Sequence, residues 1–173
     1  MPAHDQTVSG GAALADERRQ FVEAALAAVN AARLQELLVA SVDIPSPTGH
    51  ERPLAEFLAD HLARHGLDAK CQVIDGQQAN TVGRIRGDGS GLDLLLYAPL
   101  DAGFSGDPAE DIPWLGDDIR ADFKPSSLVQ DGLVIGAGAE NPKGYAACVI
   151  AAAEAVATAG VPLKGDLIVD LGA

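Results

Sequence analysis

Apolar residues recur at helical spacing in several stretches of the chain. Residues 16–42 carry this pattern, and Asn30 is predicted to divide it into two helices. The leucine and phenylalanine stripe of residues 54–62 predicts another helix, which Gly66 ends. Thr48 and Glu51, just before it, have the spacing of a capping box. Residues 143–159 are rich in alanine and predict a further helix that is buried on most sides.

Short apolar runs separate these helices and are typical of strands. They are predicted at residues 69–74, 81–85, 92–97, 133–135 and 166–171. The run at 92–97 is predicted to be a central strand, because strands that are buried on both faces are nearly continuous apolar runs. Residues 101–130 are predicted to form a long polar loop. Helices that alternate with apolar strands indicate an α/β fold with a largely parallel sheet.

Composition and charge exclude several classes of function. The chain has 173 residues and a formal net charge of −13, so neither a nucleic-acid partner nor an anionic membrane surface is expected. Residues 1–11 lack the cationic start and apolar stretch of a secretory signal, and we expect a cytoplasmic protein. Residues 1–15 are small and polar, which predicts a disordered N-terminal arm ahead of a domain at 16–173.

Three patterns invite a functional interpretation, but a structural one is preferred for each. His61 and His65 are one helical turn apart and could meet one metal ion, but no third ligand is evident nearby. They are interpreted as solvated histidines on the outer face of their helix. Gly136 and Gly138 resemble a dinucleotide fingerprint, but Asn141 stands where the third glycine belongs, so a tight turn is favoured. The carboxylates of residues 101–131 lack the spacing of a calcium loop.

One arrangement remains as a candidate site. Asp101 comes directly after the predicted strand at 92–97, and the turn at 136–143 follows another strand. In α/β sheets, ligands bind beyond the carboxyl ends of the strands. We therefore expect these two stretches to face each other across a cleft, with Asp101 as the candidate catalytic residue.

Several segments, taken in order, resemble a family of zinc-dependent amide hydrolases. The family includes aminoacylases, acetylornithine deacetylases, succinyl-diaminopimelate desuccinylases and glutamate-releasing carboxypeptidases. The resemblance runs over residues 34–173 and is carried by residues 44–51, 80–82, 94–101, Trp114 and 131–144. It implies a three-layer α/β/α fold of the zinc-exopeptidase type with a largely parallel mixed sheet. It also implies that the chain is the N-terminal part of a catalytic domain, without the lid domain and the C-terminal half.

The resemblance implies a water molecule held between two zinc ions, and it assigns positions to the metal ligands. A His-x-Asp motif ends the central strand; here the His position is Pro99, and Asp101 occupies the position that orients that histidine. The aspartate that bridges both zinc ions is replaced by Asn141. The family also has a cis peptide bond after the bridging aspartate, so the Asn141–Pro142 bond is expected to be cis.

These substitutions leave no intact metal position, and we expect the chain to bind no zinc. The resemblance implies hydrolysis of an amide bond in an N-acyl amino acid or a small peptide-like substrate. The isolated chain is expected to be inactive. The alternative is a non-catalytic relative that binds a ligand or a partner through the cleft that corresponds to the family's active site. Self-association is also expected, because an unpaired sheet edge invites it.

Overall fold

The structure is a computed structural model and describes residues 16–173. The predicted arm at residues 1–15 lies outside the described residues. The helices are α1 (Asp16–Ala28), α2 (Ala31–Val42), α3 (Arg52–Arg64), α4 (Pro108–Leu115) and α5 (Lys143–Thr158). The strands are β1 (Asp68–Val73), β2 (Ala79–Ile85), β3 (Leu94–Pro99), β4 (Leu128–Gln130), β5 (Leu133–Ile135) and β6 (Leu167–Gly172). The α/β class is confirmed.

Four strands form the main sheet, in the order β1-β2-β6-β3, and β4 and β5 form a separate antiparallel pair. β3 and β6 run parallel, whereas β1–β2 and β2–β6 are antiparallel. The sheet is mixed, as expected, but parallel pairing accounts for one of its three strand interfaces rather than for most of them. The turn between β1 and β2 is too short for a crossover, so it imposes antiparallel pairing.

β3 lies at the edge of the described sheet, whereas the sequence predicted a central strand. Within the part of the chain that is described, β6 is its only partner strand. The apolar run therefore reflects apolar side chains on both faces of an edge strand and not a position between two strands. Leu95 and Tyr97, which point away from the helices, remain about half exposed at 56% and 50%.

The helices α3 and α5 pack on one face of the main sheet. Alternate residues of β2 and β6 are buried on that face, and side chains of α3 and α5 hydrogen-bond to each other above it. No described helix packs on the opposite face, so the described residues supply two of the three expected layers. The core of the covered face is built mainly from leucine, valine and alanine: Leu54, Leu58, Leu62, Ala98, Ile150, Val169 and Leu171.

The helix ends follow the sequence signals with one exception. Asn30 caps α2, because its side chain accepts a hydrogen bond from the Arg33 N–H at 3.1 Å. Gly66 follows α3 with a φ of 87°, as a glycine at the end of a helix should. The capping box is wrong: Glu51 accepts from the Gly49 N–H, and Thr48 donates to Asp101 instead.

The predicted loop at 101–130 contains regular structure. It holds α4, a 3₁₀ helix at Ala121–Phe123 and β4. Asp107 caps α4 by accepting from the Ala109 N–H at 2.8 Å. Among the described residues, no single helix is long and apolar enough to cross a membrane. The bent pair Arg18–Ala28 and Ala31–Val42 is long and apolar enough only when the two helices are taken together.

Candidate functional site

Asp101 follows β3 at the carboxyl end of the parallel pair β3–β6. The Leu100 N–H donates to the Gly172 oxygen at 2.8 Å, which extends the pairing of β3 with β6 up to this point. The partly exposed Asp101 carboxylate accepts a hydrogen bond from the Thr48 hydroxyl at 3.0 Å. Asp101 is therefore oriented by the proline-containing loop between α2 and α3.

Ser46 fixes this loop against the end of β3. Its hydroxyl, fully buried, donates to the Leu100 oxygen at 2.8 Å, and its own carbonyl accepts from the Ala102 N–H at 2.7 Å. These two bonds bracket Asp101 on both sides in sequence. Glu51 ends the same loop, with one buried carboxylate oxygen on the Gly49 N–H and the other without a partner among the described residues.

The two stretches expected to face each other do line one cavity. Its volume is about 430 Å³, and its wall includes residues 102–104 on one side and residues 136–141 on the other. A second cavity of about 440 Å³ shares Gly103 and Phe104 with the first and extends to Thr48 and Trp114. Asn141 lines the first cavity, while Asp101 itself lines neither of the two. Together these cavities form the cleft, the name used for them below.

The turn before α5 holds Asn141 at the cavity surface. The Lys143 N–H donates to the Gly138 oxygen at 2.9 Å, and the Ala139 N–H donates to the Gly136 oxygen at 3.0 Å. The Asn141–Pro142 bond is cis, as expected. Asn141 is exposed, so its carboxamide is free to meet a ligand.

Lys143 is a buried cation that sequence analysis missed. Its side chain is almost entirely buried, and its ammonium donates to the Ile44 oxygen at 2.7 Å. Burial lowers the pKa of Lys143 to about 8, and the nearby Asp43 carboxylate opposes that shift. Lys143 thus connects the first turn of α5 to the end of α2, behind the cleft. At the first position of a predicted helix, its sequence position gave no sign of this burial.

The donor groups of the cleft do not fit a pair of zinc ions. Pro99 has no donor atom, and the cavity beside Asn141 offers the carboxylates of Asp122 and Glu140 but no imidazole. Zinc sites in proteins use three or four nitrogen, sulfur or oxygen donors, with histidine or cysteine among them. Over residues 16–173, the one group of three potential metal ligands lies away from the cleft, between α3 and α5.

That group consists of His61, His65 and Glu154. Glu154 comes from α5 and accepts from His61 at 2.7 Å, and the His61 side chain is only 13% exposed. The interpretation of solvated histidines on the outer face is therefore wrong for His61. Burial raises the pKa of Glu154, but the hydrogen bond and charge of His61, with His65 and Arg33, outweigh it and leave that pKa below its ordinary value.

The fold is that of the metallopeptidase-like proteins. The structure of the dipeptidase Dug1p from Saccharomyces cerevisiae matches with a TM-score of 0.63 and 16% identity, over 89% of this chain and 34% of that one. The M20 family metallo-carboxypeptidase Sso-CP2 from Sulfolobus solfataricus matches with a TM-score of 0.58 and 15% identity, over 80% of this chain and 30% of that one.

Curated relatives found by sequence are hydrolytic enzymes. A [LysW]-lysine hydrolase of Deinococcus radiodurans is 33% identical over 122 residues, which cover 70% of this chain and 27% of the relative. The N-formyl-4-amino-5-aminomethyl-2-methylpyrimidine deformylase of Bacillus subtilis is 29% identical over 139 residues, or 79% of this chain and 30% of the relative. The chain thus spans less than a third of the length of these relatives. It matches no protein-family model.

Proposed function

We propose that this chain belongs to the metallo-amidohydrolase and peptidase family and recognises the amide of an N-acyl amino acid or a small peptide-like compound. The observation that carries the proposal is the cleft at the carboxyl end of β3, on a fold shared with metallopeptidases. The names of the two curated relatives, a hydrolase and a deformylase, support hydrolysis of an amide as the reaction class.

The chemistry of the cleft supports recognition without hydrolysis by the isolated chain. The metal of the family would polarise the substrate carbonyl and activate water. Pro99 and Asn141 do not supply the histidine and the bridging carboxylate that such a metal needs. No step through a metal ion is therefore assigned to the cleft.

The residues present can bind an amide. The exposed carboxamide of Asn141 offers one acceptor and two donors, which match the N–H and C=O of an amide substrate. Phe104 and Trp114 supply apolar wall for an acyl or side-chain group. Thr48, which lines the cleft, donates to Asp101 and so keeps that carboxylate oriented next to the cleft wall.

Nuclear magnetic resonance and an amine-release assay test this proposal. We expect N-formyl and N-acetyl amino acids to shift the resonances of residues that line the cleft, with free amino acids as the matched control. We expect no release of amine, with or without added Zn²⁺. Failure of all the amides to shift cleft resonances would overturn recognition, and amine release that follows chain concentration would overturn inactivity.

A gain-of-metal variant tests the assignment of the two substituted positions. Pro99→His with Asn141→Asp restores the ligand types that the resemblance places there. In a chain that also carries His65→Gln, which weakens the histidine cluster, we expect the double substitution to add bound Zn²⁺ by elemental analysis. Equal zinc content in the His65→Gln chain and the triple variant would contradict the assignment of Pro99 and Asn141 to the family's metal-ligand positions.

A further inference from the structure

The helical layer carries a cluster of three potential metal ligands that has no part in the cleft. His61 and His65 lie one turn apart on α3 and face Glu154 of α5. One ligand atom of each residue lies within 4.8 Å of the others. The side chains are 13%, 28% and 13% exposed for His61, His65 and Glu154, respectively. The cluster is thus shielded yet reachable from solvent.

The distances within the cluster are close to those of ligands around one small cation. Oε1 of Glu154 is 2.7 Å from Nε2 of His61, and a ring nitrogen of His65 lies within 4.8 Å of both atoms. Zinc takes imidazole nitrogen at about 2.0–2.1 Å and carboxylate oxygen at about 2.0–2.2 Å, which puts neighbouring ligand atoms a little over 3 Å apart. A small opening of the His61–Glu154 contact therefore makes room for the ion.

Hydrogen bonds from neighbouring groups already orient Glu154 and His65. In metal sites, similar hydrogen bonds orient the ligating side chains. Arg33 donates to Oε2 of Glu154 at 3.0 Å, which leaves Oε1 directed at the histidines. Nδ1 of His65 is 2.8 Å from the carbonyl oxygen of His61, and a proton on Nδ1 leaves Nε2 free to coordinate. Hydrogen bonds of this kind fix the orientation and tautomer of ligating residues.

A small cavity beside the cluster has space for a further ligand. Its volume is about 20 Å³, and His61, Glu154, Asn30 and Arg33 contribute to its wall. About 10–15 Å³ is enough for one water molecule. Two imidazoles, one carboxylate and one water complete the four-coordinate shell that zinc prefers.

We propose that His61, His65 and Glu154 bind one divalent transition-metal ion, with Zn²⁺ as the metal that this donor set favours. The ion would join α3 to α5 on the covered face of the sheet, away from the cleft. This proposal replaces the expectation that the chain binds no zinc. It does not depend on the proposed function, because none of the three residues lines the cleft.

Metal titration of the tag-free full chain tests the proposal. Co²⁺ serves as the spectroscopic probe, because a four-coordinate cobalt site with two imidazoles absorbs in the visible, and calorimetry with Zn²⁺ gives the stoichiometry. We expect one ion per chain. His65→Gln should weaken binding about 10-fold or more, since even the outer partners of metal ligands cost about 10–100-fold when they are removed. His61→Gln with His65→Gln should abolish it.

Two further variants locate the ion. His50→Gln removes an exposed histidine outside the cluster and should leave the zinc affinity unchanged. Asp101→Asn changes the carboxylate that comes just before the cleft residues 102–104, and it should also leave the zinc affinity unchanged. Absence of binding by the wild-type chain, or equal affinity in the folded His61→Gln, His65→Gln variant, would overturn the proposal. Loss of binding in Asp101→Asn would place the ion near Asp101 and not between α3 and α5, which would overturn the proposal as well. Circular dichroism verifies that each variant is folded.

Discussion

Lys143 shows how one buried charge makes stability depend on pH. Burial lowers the pKa of Lys143 to about 8, whereas an unfolded chain holds that proton up to about pH 10.4. Between these values the unfolded state binds more protons than the folded state, so the free energy of unfolding rises with pH. Below about pH 8 both states are protonated, and Lys143 adds no slope.

We predict that the wild-type chain gains up to about 3 kcal/mol from this residue between pH 8 and 10.4. Lys143→Met removes the titrating group but keeps the length of the side chain. Its free energy of unfolding near neutral pH should change little, because two effects oppose each other. The Ile44 oxygen loses its hydrogen-bond donor, and the cost of burying a charge disappears. Urea unfolding of both chains across this pH range measures the slope. Parallel pH profiles of wild type and variant would refute the prediction.

At the residue scale, sequence reasoning located the cleft but missed its connections. Residues 102–104 and the turn at 136–141 do line one cavity, but the rule for parallel strands is not the reason, because β5, which precedes the turn, pairs with β4 outside the main sheet. The role of Glu154 was not visible, since it lies 93 residues from His61 in sequence. Thr48 has the local pattern of a helix cap, but its hydroxyl donates to Asp101 and caps no helix. Contacts between distant segments decide both cases.

At the scale of elements, the turn at 136–141, which lines the cleft, lies very close to the start of α5. A Cβ atom on Gly144 would stand 2.2 Å from the Ala139 oxygen, so any side chain there displaces the backbone of the turn. Glycine at this position is therefore required for packing and not for its backbone angles.

We predict that Gly144→Ala destabilises the chain by about 1–3 kcal/mol, the usual cost of overpacking a close contact. Gly76→Ala is the matched control, because a Cβ there meets nothing within 4 Å. Thermal unfolding compares the two variants with wild type. Equal loss in both variants would mean that the cost comes from glycine replacement in general and not from the Ala139 contact.

Most elements were predicted to within a few residues, whereas their arrangement was not. Alternating strands and an alanine-rich helix are local patterns, and β6 and α5 begin one residue or less from the predicted positions. The direction of β2 depends on the turn between β1 and β2. The order of the strands depends on the pairing of β6 with both β2 and β3. Apolar content alone could not tell the edge strand β3 from a central one, because side chains on both of its faces are apolar.

At the scale of the whole molecule, the sheet has one face without a helical cover among the described residues. Leu95 and Tyr97 of β3 lie on it, in register with Ile168 and Asp170 of β6. Among residues 16–173, β3 has no partner strand on its outer edge, which leaves backbone groups unpaired beside this apolar surface. Exposed strand edges and apolar patches both favour association. The net charge of −13 opposes it through repulsion, so low salt should weaken association and high salt should strengthen it.

We predict that the chain self-associates through this face as its concentration rises. Leu95→Gln replaces an apolar side chain that is 56% exposed on the face, and it should shift the weight-average mass toward that of the monomer. Leu92→Gln is the matched control, since Leu92 is 96% exposed but lies outside β3. Sedimentation equilibrium at two salt concentrations measures the mass of all three chains. A wild-type chain that stays monomeric at every concentration would refute self-association. An equal shift in both variants would place the interface elsewhere on the molecule.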